Sequence, residues 1–164
     1  MKTLYIVRHA KTEVQQQGQL DFNRALAPRA TQDIATINSL LKHHKIGVDA
    51  IVCSPALRAI STAQLFASKL DFEISKIEQN SLIYNASLPT LLSVIWKLDD
   101  RNNHVFIVGH NPGLTLLSNF LSLPPIPHIP TSGIVCIEFN VKKWGMISAE
   151  KSNQRFFICP KLEM

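Results

Sequence analysis

Two histidines and two arginines follow apolar segments of this chain, where side chains can meet a ligand. Arg8 and His9 come directly after the first apolar run, and His110 follows a glycine that ends a later one. Arg58 stands four residues after Ser54, near the start of a segment with helical spacing. Guanidinium groups bind phosphate oxygens through paired donors, and a neutral imidazole can attack phosphorus. A second imidazole, when protonated, stabilises the charge that spreads over the phosphoryl oxygens. This set of residue types therefore predicts phosphoryl transfer on a histidine.

Each of these residues also fits an ordinary structural position when it is considered alone. Arg8 and His9 are compatible with a solvated strand end, His110 with a satisfied histidine, and Arg58 with a helix surface. Their chemical meaning depends on whether the fold brings them together, so the elements that carry them decide between the two interpretations.

Short apolar runs predict buried strands, because a strand covered on both faces needs apolar side chains in succession. The predicted strands are Leu4–Arg8, Ala50–Cys53, Val105–Val108, Ile134–Phe139, Met146–Ala149 and Arg155–Cys159.

Apolar residues that recur every three or four positions predict four helices between these strands. The first opens at Pro28, with Ile34, Ile37, Leu40 and Leu41 as its apolar stripe. The second runs to about Leu70 from an N-cap at Ser54 with proline at the next position. The other two are Leu88–Leu98 and a helix that follows Pro112-Gly113 and ends near Leu121; the prolines of Pro124–Pro130 predict an extended loop.

The alternation of strands and helices predicts an α/β fold, a three-layer α/β/α sandwich with a mostly parallel central sheet. Ligands of such sheets bind beyond the carboxyl ends of the strands. Three segments follow the ends of predicted strands and so lie at that edge: Arg8-His9, Ser54–Arg58 and His110-Asn111. Although they are far apart in the sequence, this topology brings them to one edge of the sheet.

Length and composition are those of an ordinary globular protein. The 164 residues, 46% of them hydrophobic, predict a single domain over 1–164. The amino terminus lacks the features of a signal peptide, and no run of about 18 apolar residues predicts a membrane span. Three cysteines in apolar surroundings favour buried thiols in a reducing compartment, so the predicted location is the cytoplasm.

The net charge of +5 is compatible with anionic partners, either nucleic acid or phosphate-bearing substrates, and equally with a mildly basic solvated surface. Aromatic residues are not interleaved with the basic ones, which argues against a nucleic-acid platform. No Cys or His pair has the spacing of metal ligands, and the chain carries no glycine-rich phosphate loop or dinucleotide fingerprint. We therefore expect no metal and no cofactor.

Five segments, in the same order along essentially the whole chain, resemble the histidine phosphatase (phosphoglycerate mutase-like) superfamily, and within it the short branch of SixA-type phosphohistidine phosphatases. These segments are Leu4–Thr12, Asp21–Leu26, Cys53–Ala59 with Thr62-Ala63 behind it, Val108–Pro112, and the proline-rich loop with Thr131-Ser132-Gly133. The resemblance implies that His9 accepts the phosphoryl group. It implies that Arg8, Arg24, Arg58 and His110 hold it, and we add Ser132 as a candidate for the same pocket.

The chain departs from the larger members of that superfamily in its proton donor. They carry a carboxylate in the segment that corresponds to Ser81–Ala86, which has none here, while Glu73, Glu78 and Asp99-Asp100 are expected to be solvated. Without a donor an alkoxide is a poor leaving group, because its conjugate acid resembles water with a pKa of about 15.7. The imidazole of phosphohistidine has a conjugate acid with a pKa of about 6.5, a difference of about 12 kcal/mol as an upper bound.

These observations favour a metal-independent phosphatase that acts on a protein-borne phosphohistidine. A phosphatase for small phosphate esters, such as sugar or nucleotide phosphates, is the second hypothesis. A module that binds a phosphorylated partner with little turnover is the third, and it is disfavoured because binding alone would need only the arginines. A nucleic acid or a membrane is not an expected partner.

Overall fold

A six-stranded sheet forms the centre of the computed structural model, which describes residues 1–160. The strands are β1 (Lys2–Arg8), β2 (Ala50–Cys53), β3 (Glu78–Gln79), β4 (His104–Gly109), β5 (Ile134–Phe139) and β6 (Ser152–Ile158). Their order across the sheet is β3-β2-β4-β1-β5-β6. The first four in that order are parallel, whereas β5 and β6 are antiparallel to their neighbours. The predicted mostly parallel sheet is confirmed.

Within residues 1–160, four helices cover the two faces of the sheet. They are α1 (Arg29–Leu41), α2 (Leu57–Lys69), α3 (Leu88–Trp96) and α4 (Gly113–Leu121). Side chains of α1 and α2 share one buried cluster with Tyr5 and Val7 of β1. Those of α3 and α4 share the other cluster with Leu4 and Ile6. Because successive strand residues point to opposite faces, β1 supplies both cores, and this explains its unbroken apolar run. The three-layer prediction is therefore confirmed.

The prediction of a strand at Met146–Ala149 is wrong. Short 3-10 turns cover Trp144–Met146 and Ala149–Lys151 instead, and the antiparallel neighbour of β5 is β6. The fully buried Trp144 accounts for this difference. Its backbone N–H donates to Asp100 Oδ1 at 2.7 Å and its indole Nε1 donates to Asn102 O at 2.8 Å. The segment therefore turns inward to bury the indole.

The second helix begins at Leu57, two residues after the predicted first helical position at Pro55, and its N-cap is Ala56 rather than Ser54. The Ser54 hydroxyl accepts from the backbone N–H of Ala56 at 3.2 Å, which closes a tight turn before the helix. In the first helix the predicted stripe holds for Ile34, Ile37 and Leu41, but Leu40 is 41% exposed. Leu40 lies about 100° around the helix axis from Leu41, because the helix has 3.6 residues per turn.

The loop Pro124–Pro130 has neither helix nor strand, as predicted, but α4 anchors it firmly. The Asn119 side chain donates to Ile126 O and accepts from Ile126 N–H, both at 2.8 Å. Thr115 Oγ1 accepts from Ile129 N–H at 3.0 Å. These bonds place the Ile129 carbonyl at the carboxyl edge of the sheet.

None of the helices in residues 1–160 is long and apolar enough to cross a membrane. The single-domain prediction over 1–164 includes residues 161–164, which lie outside the described part of the chain.

Candidate active site

The carboxyl edge of the sheet brings together Arg8, His9, Arg58 and His110. Arg8 pairs with Gly109 in the parallel β1–β4 ladder, so His9 and His110 follow neighbouring strands. The His9 backbone N–H donates to Gly109 O at 3.0 Å. The two imidazole ring centres lie 5.4 Å apart. The predicted convergence of these strand ends is therefore observed.

His9 is held in the form that a nucleophile requires. Its Nδ1 lies 2.8 Å from the carbonyl oxygen of Ala10, which can only accept, so Nδ1 carries the proton and Nε2 keeps its lone pair. Burial, helped by the charges of Arg58 and Arg8 and opposed by the hydrogen bond to Ala10, lowers the pKa of His9 to about 4. His9 is therefore neutral at pH 7.

Helix α2 holds the chain beside His9. The Thr62 hydroxyl accepts from the backbone N–H of Ala10 at 2.9 Å and donates to Arg58 O at 2.7 Å. Thr62 and Ala10 are both fully buried. One side chain thus joins the segment that carries His9 to the turn of helix that carries Arg58.

His110 is bound on one side of its ring. Its Nε2 lies 2.7 Å from Ser54 Oγ, whereas Nδ1 is buried without a hydrogen-bond partner among residues 1–160. Burial lowers the pKa of His110 to about 3, and the positive charge of Arg58 acts in the same direction. His110 is therefore neutral at pH 7 in this arrangement, and an arriving phosphoryl dianion would raise its pKa. The contact between Ser54 and His110 was not predicted from the sequence.

Three guanidinium groups lie around the two imidazoles. Arg58 is 5% exposed at the start of α2, and Arg8 donates to Ile129 O at 3.1 Å. Arg24 donates to Thr12 Oγ1 at 2.6 Å. The Nε atoms of Arg8 and Arg24 are buried and have no hydrogen-bond partner in the described part of the chain. A phosphoryl group would supply oxygens for such donors, because each guanidinium binds phosphate through paired N–H groups.

Asp21 and Tyr84 are the two site residues that the sequence analysis missed. Asp21 Oδ2 accepts from Arg58 at 2.8 Å and from the Tyr84 hydroxyl at 2.9 Å, and Oδ1 accepts from Arg24 at 3.3 Å. Burial opposes ionisation of this carboxyl, but the bonds from Tyr84, Arg58 and Arg24 outweigh it and lower its pKa. Asp21 is therefore a carboxylate at neutral pH. The spacing of three residues between Asp21 and Arg24 is the one sequence signal for this contact.

Two aromatic rings lie beside the histidines. Tyr84 meets His110 edge-on with ring centres 5.5 Å apart, and Phe22 meets Tyr84 edge-on at 5.3 Å. Phe22 is 37% exposed and Tyr84 is partly buried. These rings form a partly apolar wall that runs from His110 toward the solvent.

Ser132 lies next to His9 with its backbone in the left-handed region at φ 62°. Its N–H donates to the carbonyl oxygen of His9 at 3.2 Å, and its buried hydroxyl has no hydrogen-bond partner within residues 1–160. The residue thus helps to position the His9 backbone, while contact of its hydroxyl with a phosphoryl group stays a prediction.

The carboxylates expected to be solvated include Glu73 and Glu78, and both are exposed.

The cationic groups that could bind phosphoryl oxygens at this site are side chains of the protein itself. Among residues 1–160, no group of three or more His, Cys, Asp or Glu side chains is placed to hold a metal ion. In neutral His9 the Nε2 lone pair is free to act as a nucleophile, and the charges of Arg58, Arg8 and Arg24 lie near enough to lower the pKa of this ring.

Known proteins resemble this chain in sequence and in fold. Residues 4–80 match the histidine phosphatase superfamily (branch 1), and this stretch contains His9, Arg24 and Arg58. An uncharacterized protein of Mycobacterium tuberculosis is 30% identical over 116 residues, which cover 71% of this chain and 70% of that protein.

Solved structures share the fold over nearly the whole chain. The protein histidine phosphatase SixA complexed with tungstate has a TM-score of 0.79 at 18% identity, covering 96% of this chain and 97% of its own. A mycobacterial glucosyl-3-phosphoglycerate phosphatase complexed with VO3 has a TM-score of 0.63 at 14% identity, covering 95% of this chain and 98% of its own. At these identities the likeness is one of fold.

Proposed function

The chain belongs to the histidine phosphatase superfamily, and we propose that it removes the phosphoryl group from phosphohistidine in a protein, through a phosphohistidine formed on its own His9. The observation that carries this proposal is the state of His9. The ring is neutral and held at Nδ1 by the Ala10 carbonyl, and its Nε2 lies among the cationic side chains.

In the first step the lone pair of His9 Nε2 attacks phosphorus in line with the bond to the leaving group. The Nε2–P bond forms as the bond from phosphorus to the substrate nitrogen breaks, and that nitrogen keeps the electron pair. Arg8, Arg24 and Arg58 bind the phosphoryl oxygens, and His110 donates from its free nitrogen once the dianion has raised its pKa. Water then hydrolyses phospho-His9 and returns the imidazole.

The choice of substrate rests on the leaving group. The segment Ser81–Ala86 places Tyr84 at the site and carries no carboxyl group. Asp21 is near it but ionised, so it has no proton to give at neutral pH. Without a protonated carboxyl group among its described residues, the site favours imidazole over alkoxide as the leaving group. The advantage is a fraction of the difference between the two leaving groups, for which about 12 kcal/mol is the upper bound. The likeness of the fold to SixA supports the same choice.

A small phosphate ester is the second candidate substrate. It is favoured by the fold shared with the glucosyl-3-phosphoglycerate phosphatase. The absence of a protonated carboxyl group in the described site argues against it, because sugar phosphates leave as alkoxides.

The test compares phosphate release from a histidine-phosphorylated protein with release from sugar and nucleotide phosphates, with a chelator present throughout. We expect release from phosphohistidine alone, lost in His9→Ala and retained in His43→Ala, which removes an exposed imidazole after α1. Faster release from the sugar phosphates would replace the leading proposal with the second. Dependence on an added metal would contradict metal independence.

A further inference from the structure

Asp21 brings a carboxylate to the site from a segment where none was expected. It lies in a 3-10 turn, Asp21–Asn23, that precedes α1, and it reaches Tyr84, 63 residues further along the chain. Arg58 donates to the Asp21 backbone carbonyl at 2.7 Å and to Oδ2 at 2.8 Å. The carboxylate therefore stands between an arginine proposed to bind phosphate and the segment that lacks an acid.

The carboxylate keeps a free acceptor position. An ionised carboxylate has about four lone-pair sites, and three are used by Arg58, Tyr84 and Arg24. The side chain is 38% exposed, so its remaining lone pair is accessible from the solvent. The groups that face it are these three side chains and, at longer range, His110, whose pKa the charge of Asp21 raises. A fourth donor that enters the site can bind there.

Phosphohistidine supplies such a donor in the form that reacts. Its ring leaves as neutral imidazole only when the nitrogen remote from phosphorus carries a proton, since otherwise the ring would have to leave as an imidazolate anion. A hydrogen bond from that remote N–H to a carboxylate favours the protonated ring, because an opposite charge nearby stabilises the charged form. A sugar phosphate has no cationic donor to place at this position.

We propose that Asp21 binds the leaving group: its carboxylate accepts the remote N–H of the substrate imidazole, with the flat ring beside Tyr84 and Phe22. The Tyr84 and Phe22 rings extend from His110 toward the solvent, which gives the imidazole an aromatic surface next to the acceptor. Asp21 thus selects phosphohistidine over phosphate esters while it holds Arg58 in place. This inference rests on the proposed function.

The test compares Asp21→Asn with wild type on two substrates, a histidine-phosphorylated protein and p-nitrophenyl phosphate, whose aryl leaving group carries no N–H. Loss of Arg58 support lowers kcat/KM for both substrates. Loss of the hydrogen bond between the substrate imidazole and the carboxylate lowers kcat/KM for phosphohistidine alone. This further decrease is 10-fold to 100-fold, which corresponds to about one hydrogen bond to a charged group. The ratio of the two kcat/KM values is therefore the measured quantity.

Asp99→Asn is the matched control, because Asp99 is an exposed carboxylate paired with Arg101 before β4, at the opposite edge of the sheet. It changes the net charge equally and leaves the ratio unchanged. The pH profile of kcat for phosphohistidine gives a second readout. Without the carboxylate the remote nitrogen of the substrate imidazole loses its proton more readily. In Asp21→Asn the alkaline limb of the pH profile therefore shifts to a pH about one unit lower.

An equal loss of activity on both substrates with an unmoved alkaline limb would overturn the role of Asp21 and leave the proposed function standing. If the wild-type protein does not act on phosphohistidine, the proposed function itself is wrong. Circular dichroism and thermal unfolding of Asp21→Asn establish that the variant is folded before the ratio is compared.

Discussion

Replacing His9 with asparagine should make the folded protein less sensitive to acid. The native pKa of His9 is lowered to about 4 by burial and by the neighbouring arginines, whereas an imidazole in the unfolded chain titrates near 6.5. Between these values the unfolded chain binds a proton at His9 that the native protein does not. Stability therefore falls as the pH drops below about 6.5, and the fall levels off below about 4.

The size of this effect follows from the two pKa values. At 1.36 kcal/mol for each pKa unit, the full difference is about 3 kcal/mol, and about 2 kcal/mol of it is lost between pH 7 and pH 5. His9 is 8% exposed, so solvent screening reduces this value little. The asparagine variant lacks the titrating group and should lose about 2 kcal/mol less over the same interval.

Urea unfolding at pH 7 and pH 5, in a buffer without phosphate, measures this difference. Wild type, His9→Asn and His43→Asn are compared, and the last variant shows whether loss of any histidine has the same effect. If wild type and His9→Asn lose equal stability on acidification, His9 is not held neutral by the fold, and the nucleophile described above is refuted.

Three further predictions test the fold and the site. Lys2→Met should lower the free energy of unfolding by about 2–4 kcal/mol in urea titration, since the buried ammonium donates to two backbone carbonyls and a side-chain amide oxygen that would lose their partner. Gly113→Ala should lower it by about 1–3 kcal/mol, because the new Cβ would lie 2.5 Å from a backbone oxygen; Gly145→Ala meets nothing nearer than 3.7 Å and should change it little. Ser54→Ala should reduce kcat by about 10-fold with KM less affected, because His110 loses its only side-chain hydrogen bond among residues 1–160; wild-type kcat would contradict this.

The strands and the meeting of their ends were predictable from local sequence. A buried parallel strand needs apolar side chains on both faces, so Ala50–Cys53 and Ile134–Phe139 were identified with the bounds that the structure has. The rule that ligands bind at the carboxyl ends of parallel strands then placed His9 and His110 together. Two residues 101 positions apart thus needed no contact information to be paired.

The parts of the site that depend on loop conformation were not predictable. Asp21 and Tyr84 lie in or beside short 3-10 turns without apolar periodicity, and their hydrogen bond depends on how these turns pack. Ser54 was assigned to a helix N-cap because a serine followed by proline is typical of that position. Its hydroxyl is used instead by Ala56 and His110, which local sequence does not reveal.

The misplaced strand at Met146–Ala149 has a similar cause. A short apolar run is a local signal, and burial of the neighbouring Trp144 outweighs it. The indole finds its hydrogen-bond acceptor at Asn102, a long-range contact that the pattern of the segment does not contain.

The most direct test of this account is a rapid-quench experiment with a histidine-phosphorylated protein that carries labelled phosphate. Samples are quenched in base, where phosphohistidine survives, and the enzyme is analysed for label. We expect label on His9 before free phosphate is released, and neither label nor release with His9→Asn. Label on another residue, or release by His9→Asn at the wild-type rate, would contradict the mechanism.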